Sequence, residues 1–125
     1  MEPSKGRRSL VVKVTVGEDA PERCSEGFTI AAAAASAGAD VSLWLSGDAV
    51  WLATPGRAAG FDLAHAAPLD GMLDLLLGAG TVTVCHQCAT RRGIALADLI
   101  PGIEMAGASS YVDEILRPDT QVVVH

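Results

Sequence analysis

At 125 residues the chain is long enough for one domain with a real core, and its formal net charge of −6 argues against a nucleic-acid or anionic-membrane surface. Half of the residues are hydrophobic but only 4% are aromatic, so the core has to be built from Val, Leu, Ile and Ala. Three unevenly spaced cysteines are a poor disulfide framework, and neither a signal-like leader nor an apolar run of membrane-spanning character is visible, so a reducing, cytoplasmic setting is expected.

Met1–Arg8 reads as a polar, disordered tail ahead of a single domain over residues 9–125. "SLVVKVTV" (Ser9–Val16) is β-branched and nearly all apolar, the pattern of a strand covered on both faces. "GEDAPERC" (Gly17–Cys24) turns into a helix, with Pro21 suited to the first turn and Glu22 to the positive end of the dipole. The helix should run to about Ala37 and stop at Gly38, with Ala31–Ala35 forming a smooth surface for packing on a sheet. Ala39–Leu45 is a second strand. Ser46–Gly56 reads as a turn and short helix capped by Ser46 or Asp48, and Arg57–Ala67 as a loop carrying His65. Within Pro68–Gly80, Leu69, Met72, Leu73 and Leu76 recur at helical spacing. Leu75 and Leu77 point off that stripe, as in a helix covered on a second side by another subunit.

"TVTVC" (Thr81–Cys85) is the third strand, followed by a helical turn from about Cys88 to Gly93 and a short helical piece over Ala95–Ile100. A strand over Gly102–Gly107, a helix over Ala108–Arg117 capped by Ser109 or Ser110, and a strand over Thr120–His125 complete the chain. Strands and helices alternate throughout, which predicts a parallel sheet with helices on both faces. In such folds chemistry gathers at the carboxyl ends of the strands. Cys85 stands at one of these ends, and the loop Gly17–Arg23 with Glu18 at another.

The stretch "TVTVCHQCATRRG" (residues 81–93) therefore carries the chemical question. Sulfur chemistry needs a thiolate, and the amides of the helix after Cys85, together with Arg91 and Arg92, are placed to lower the pKa of that thiol. His86 adds positive charge or moves a proton. Cys85 and Cys88, three apart at a strand-to-helix turn, suit a reactive pair, whereas Cys24 suits the core. A thioredoxin-like reading is opposed by the late position of the motif and by the lack of a proline placed to sit beside it. Zinc would need more ligands than Cys85, His86 and Cys88 supply, so no metal is expected. Glu18, with Asp19 and Glu22, forms either an acidic rim or a solvated helix start. Trp44 and Trp51 read as core, Trp51 also as a cleft wall, and terminal His125 as exposed.

Four blocks in this order, "LVVKVTVGEDAPER", "AAAAASAGADVSLWLSGDAVWLA", "VCHQCATRRGI" and "GIEMAGASSYVDEIL", resemble the DsrE/DsrF-like family, whose members include sulfur-relay subunits. The resemblance spans Val11 to Val124. It implies a three-layer α/β/α sandwich with a five-stranded parallel sheet, assembled as homo-oligomers (trimers or hexamers) or with a related subunit. It also implies a persulfide carried on Cys85, received from a donor protein and passed to an acceptor protein, with no cofactor. Cys88 is outside the relay pattern and leaves room for a resolving thiol. Two other readings stay open: a dithiol redox switch of Cys85 and Cys88, and a non-catalytic oligomeric binding module.

Overall fold

The computed structural model describes residues 8–125, so the tail expected at Met1–Arg8 lies, but for Arg8, outside the described residues. The elements are β1 (Ser9–Val14), α1 (Pro21–Ser36), β2 (Asp40–Leu45), a 3-10 segment (Gly47–Ala53), α2 (Leu69–Ala79), β3 (Thr81–Cys85), α3 (His86–Arg91), a 3-10 turn (Leu96–Asp98), β4 (Glu104–Ala106), α4 (Ala108–Ile115) and β5 (Thr120–Val124). The strands form one five-stranded sheet in the order β4-β3-β2-β1-β5. Every pairing is parallel. The protein is an α/β/α sandwich.

Strand order explains the layers. From β1 to β4 the chain steps in one direction across the sheet, and then returns past it to place β5 beside β1. Right-handed crossovers taken in opposite directions put their connections on opposite faces. On the first face lies the aliphatic core, in which Val12, Val14, Leu43, Leu45, Val82 and Val84 meet Phe28 of α1 and Leu69, Leu73 and Leu76 of α2. Alternation along each strand sends Lys13, Ser42, Trp44, Thr83 and Cys85 to the second face. There α4 is the covering helix, held by Glu114, whose Oε1 accepts hydrogen bonds from Ser42 Oγ at 2.6 Å and Trp44 Nε1 at 3.0 Å. Tyr111 of α4 meets the Trp44 ring edge-on, with centroids 5.2 Å apart. One short helix thus covers the second face.

Several local expectations are corrected. Neither Ser46 nor Asp48 caps the 3-10 segment through its side chain: Ser46 holds the N-cap position without such a bond, and Asp48 pairs with Arg92. The N-cap of α4 is Gly107, so Ser109 and Ser110 fall inside its first turn. The helix after β3 begins at His86, directly at the strand end. Of the alanine run, Ala31 and Ala32 are buried, whereas Ala33 is exposed. Leu77 packs on the core and only Leu75 stays exposed. His125 is tied down: its N–H donates to the Lys13 carbonyl at 2.8 Å, and Thr15 Oγ1 donates to its backbone oxygen, also at 2.8 Å.

Two glycines near the α2–β3 junction make opposite predictions. A Cβ on Gly80 would run into the backbone carbonyl of Val41, whereas one on Gly78, within α2, would meet nothing. Gly80→Ala should therefore cost about 1–3 kcal/mol through forced backbone movement. Gly78→Ala should stabilise by up to about 1 kcal/mol through helix propensity. Thermal unfolding of the two variants checks this, and equal shifts in one direction would contradict it.

Candidate functional site

β3 ends at Cys85 because α3 starts at the next residue, leaving Cys85 as the N-cap with extended backbone, φ −65° and ψ 119°. Three positions on, Cys88 comes round to the same side of the chain, the usual neighbour spacing of a helix. The helix is then stopped sharply. Gly93 takes φ +71°, its N–H bonds the Thr90 carbonyl, and the Ile94 N–H reaches back to the Ala89 carbonyl at 2.9 Å. This paired arrangement is a Schellman stop, with Ala89 and Ile94 both in the core. A short, firmly ended helix fixes where its cysteine sits.

The turn after β2 meets this helix from the side. Gly47 has φ +53°, and a Cβ there would collide with the Thr15 carbonyl oxygen, so only glycine lets the backbone pass. The next residue, Asp48, accepts two hydrogen bonds on one carboxylate oxygen from Arg92, Nη2 at 2.7 Å and Nε at 3.0 Å. Arg92 Nη1 also donates to the Cys88 carbonyl at 3.0 Å. Arg92 is therefore a clamp between α3 and the 3-10 segment, with its charge still near the thiols. Arg91 is exposed, and its Nη1 lies 3.9 Å from Cys88 Sγ.

Burial works against the Cys88 thiolate, but it is outweighed by a hydrogen bond from the Gly47 backbone N–H, one from the Cys85 thiol, and the charges of Arg91 and Arg92. Cys88 is thereby held below the ordinary thiol pKa. The groups that favour a thiolate, the Gly47 amide and Arg91, lie beside Cys88. Cys24 behaves as a core residue: burial, with smaller contributions from Asp19 and Glu18, pushes its thiol up to about 12. All three cysteines are free.

The remaining candidates separate. His86 is exposed, beside a shallow hollow bounded by Thr90, Ile94 and Met105. Glu18 pairs with Arg57 at 3.2 Å on the surface, and that guanidinium stacks 4.8 Å over the Trp51 ring, so this corner is a solvated ion pair beside Cys24. His65, with φ +62°, borders an open groove against Glu22 and Glu26 of α1. Among the described residues no three His, Cys, Asp or Glu side chains gather as a metal site, so Cys85, His86 and Cys88 do not assemble into one. No helix of the described residues is long and apolar enough to cross a membrane.

On the second face, Cys85 borders a cavity of about 180 Å³ with Lys13, Trp44, Ser46 and Tyr111. Sequence reasoning missed these neighbours, as it missed Gly47 and Asp48. A local sign existed for Lys13, a charge in the middle of a strand otherwise buried on both faces. The others come together only through long-range packing.

A model of the DsrE/DsrF-like family matches residues 8–124. Among solved structures, the chain is similar to the ychN protein from E. coli, with 22% identity, a TM-score of 0.74, and coverage of 95% of this chain and 98% of that one. It is also similar to MTH1491 from Methanobacterium thermoautotrophicum, a protein of unknown function, with 8% identity, a TM-score of 0.71, and coverage of 94% and 99%. A third, BT1422 from Bacteroides thetaiotaomicron, a conserved protein of unknown function, has 17% identity, a TM-score of 0.60 and full coverage of both chains. At these identities the structural likeness speaks for the fold alone. No curated protein matches the chain.

The acid shift has a direct consequence. Thiolate accumulates as pH rises through the thiol pKa, so alkylation of Cys88 by iodoacetamide should reach half its maximal rate at a lower pH than a free cysteine peptide measured beside it. Cys85→Ala removes one donor to the thiolate and should move that midpoint upward. Site-resolved mass spectrometry across pH reads both. A wild-type midpoint at or above that of the free peptide would refute the acid shift.

Proposed function

The chain belongs to the DsrE/DsrF-like family, and from that premise we propose that it is a persulfide carrier in a sulfur relay, with Cys85 as the sulfur-accepting thiol. The observation that carries the reading is the thiol pair itself: Cys85 borders a cavity at the carboxyl edge of the sheet, and an acidified Cys88 stands three positions on in the helix it caps. In the first step the Cys88 thiolate takes the Cys85 proton while Cys85 Sγ attacks the outer sulfur of a donor persulfide, R–S–SH. A Cys85–sulfur bond forms, the donor S–S bond breaks, and R–S⁻ leaves. The products are Cys85–S–SH and Cys88–SH, with one negative charge before and after. An acceptor thiolate then attacks the outer sulfur and departs as the new persulfide, leaving Cys85 as thiolate. Arg91, near the thiol pair, steadies the negative charge, and no metal or organic cofactor enters.

Donor and acceptor are thiol proteins in this scheme, and the carrier works as a homo-oligomer or with a related subunit. An apolar surface supports assembly: Val112 and Leu116 of α4 and Val122 and Val124 of β5 are exposed, Leu116 by 75%. The free thiols suit a reducing cytoplasm. A second reading, the dithiol switch, is favoured by the placement of Cys85 as N-cap and Cys88 three positions on in the same helix, which makes them neighbours on one side of it. There Cys88 attacks the inner sulfur of Cys85–S–SH, expels HS⁻ and closes a disulfide that an external dithiol reopens.

Intact mass after brief exposure to a persulfide donor separates these readings. A carrier gains one sulfur, removable by reductant, in wild type and Cys88→Ser but not in Cys85→Ser. The lifetime of the added sulfur should be longer in Cys88→Ser, which lacks the resolving thiol. A loss of two hydrogens with no added sulfur would favour the switch, and normal loading of Cys85→Ser would rule out Cys85 as the carrier.

A further inference from the structure

The cavity beside Cys85 has features that sulfur transfer between proteins does not require. Its volume of about 180 Å³ equals about six water-sized volumes, which is room for a small molecule. Two walls are aromatic and fixed: Trp44 is anchored through its indole N–H to Glu114, and Tyr111 packs edge-on against it. Lys13 reaches the same space with its ammonium 4.7 Å from the Tyr111 ring centroid, and among the described residues no carboxylate pairs with it. α4 opens onto the cavity at Gly107 and Ala108 with no side-chain cap, which leaves its first amides unclaimed by any side chain.

The independent observation is Ser46. It is 7% exposed, its Oγ is buried, and among the described residues that atom has no hydrogen-bond partner. Its backbone continues β2 in extended form, φ −128° and ψ 172°, with its N–H bonded to the Val14 carbonyl, so alternation turns its side chain to the face of Trp44 and the cavity. An unpaired buried hydroxyl is costly unless something fills its place. The carboxylate nearest Trp44, that of Glu114, is already engaged by Ser42 and Trp44. Among the described residues, what has no side-chain partner is one cation, the amides of a helix start and one hydroxyl, beside rigid apolar walls and a thiol.

We propose that this cavity is a subsite for a small carboxylate-bearing persulfide, its anionic head held by Lys13, the first amides of α4 and Ser46, its short carbon arm lying on Trp44 and Tyr111, and its outer sulfur presented to Cys85. The proposal rests on the carrier reading for Cys85 and replaces the donor protein of that scheme with a small molecule. The step is the exchange already written, with R a short chain ending in a carboxylate. The Cys85–sulfur bond forms, the donor S–S bond breaks with its electron pair on the departing thiolate, and the Cys85 proton passes to Cys88.

The test compares the persulfide of 3-mercaptopropionate with that of 2-mercaptoethanol, its neutral counterpart, by the rate at which each adds sulfur to Cys85 in the intact protein. The charged donor should be faster by about tenfold, the scale of one charge-assisted hydrogen bond. In Lys13→Met and Ser46→Ala, each first shown to keep the wild-type unfolding temperature, that ratio should fall toward one. Equal rates in wild type, or a ratio unchanged in both variants, would overturn the proposal. A binding arm separates it from the carrier reading. 3-(Methylthio)propionate cannot transfer sulfur, and its saturable shift of the Trp44 indole N–H resonance, lost in Lys13→Met, should persist in Cys85→Ser. Binding without loading by either donor would retain the anion site and remove the carrier; no binding and no discrimination would remove the site.

Discussion

The carboxyl edge of this sheet depends on a backbone passing close to another backbone at Gly47. The approach to the Thr15 carbonyl leaves no room for a Cβ, and the positive φ excludes most side chains on its own account. Three consecutive residues draw their roles from that approach. Ser46 ends the β2 ladder with its hydroxyl on the cavity face, Gly47 sets its amide beside Cys88, and Asp48 receives Arg92. The turn thus fixes α3 and favours the thiolate of its cysteine together. A thiolate needs donors at fixed positions, and a backbone amide held by a close-packed turn is a firmer donor than any flexible lysine.

The two faces of the sheet divide the work. One is filled by interlocking aliphatic side chains and supplies the apolar burial that stabilises the fold. The other holds Lys13, Trp44, Ser46, Cys85 and Tyr111 under one short helix, and the polar groups that have partners are joined through Glu114. Cys85 belongs to the second face and Cys88 to the rim where α3 meets the 3-10 segment. The thiol pair therefore joins two environments, one that can receive a ligand and one that holds negative charge.

Much of this was legible in the sequence, and the part that was not has a common cause. Every strand falls within two residues of its expected bounds, because buried parallel strands are short β-branched runs and their ends are marked by glycine and proline. Leu69, Met72, Leu73 and Leu76 were readable as a buried stripe from spacing alone. Cys85 at a strand end was likewise a local fact. The partners of the thiols are not local: Asp48 lies 44 positions from Arg92, and Glu114 70 from Trp44. That Cys88 is acidified depended on the Gly47 amide beside it, and no periodicity records that. Ser46 and Asp48 were sensible caps by residue type, yet their side chains were drawn to the cavity face and to an arginine.

The strand order also bears on how the chain reaches this state. β1 is the second strand from one edge, yet its outer neighbour is β5, so Val12 meets its register partner Val123 only after every other element has been made. A chain growing from its first residue can assemble β1, β2 and β3 with α1 and α2 early, through successive neighbouring crossovers. It cannot close the β1 ladder until the last strand arrives to make the strand pairing of greatest sequence separation in the sheet, an entropic cost that comes late and slows assembly. Until then the outer edge of β1 carries unpaired backbone groups at the strand that also bears Lys13. Completion of the cavity wall and burial of that edge are consequently one late event, and an incomplete chain would present a sticky strand before it presented a working thiol.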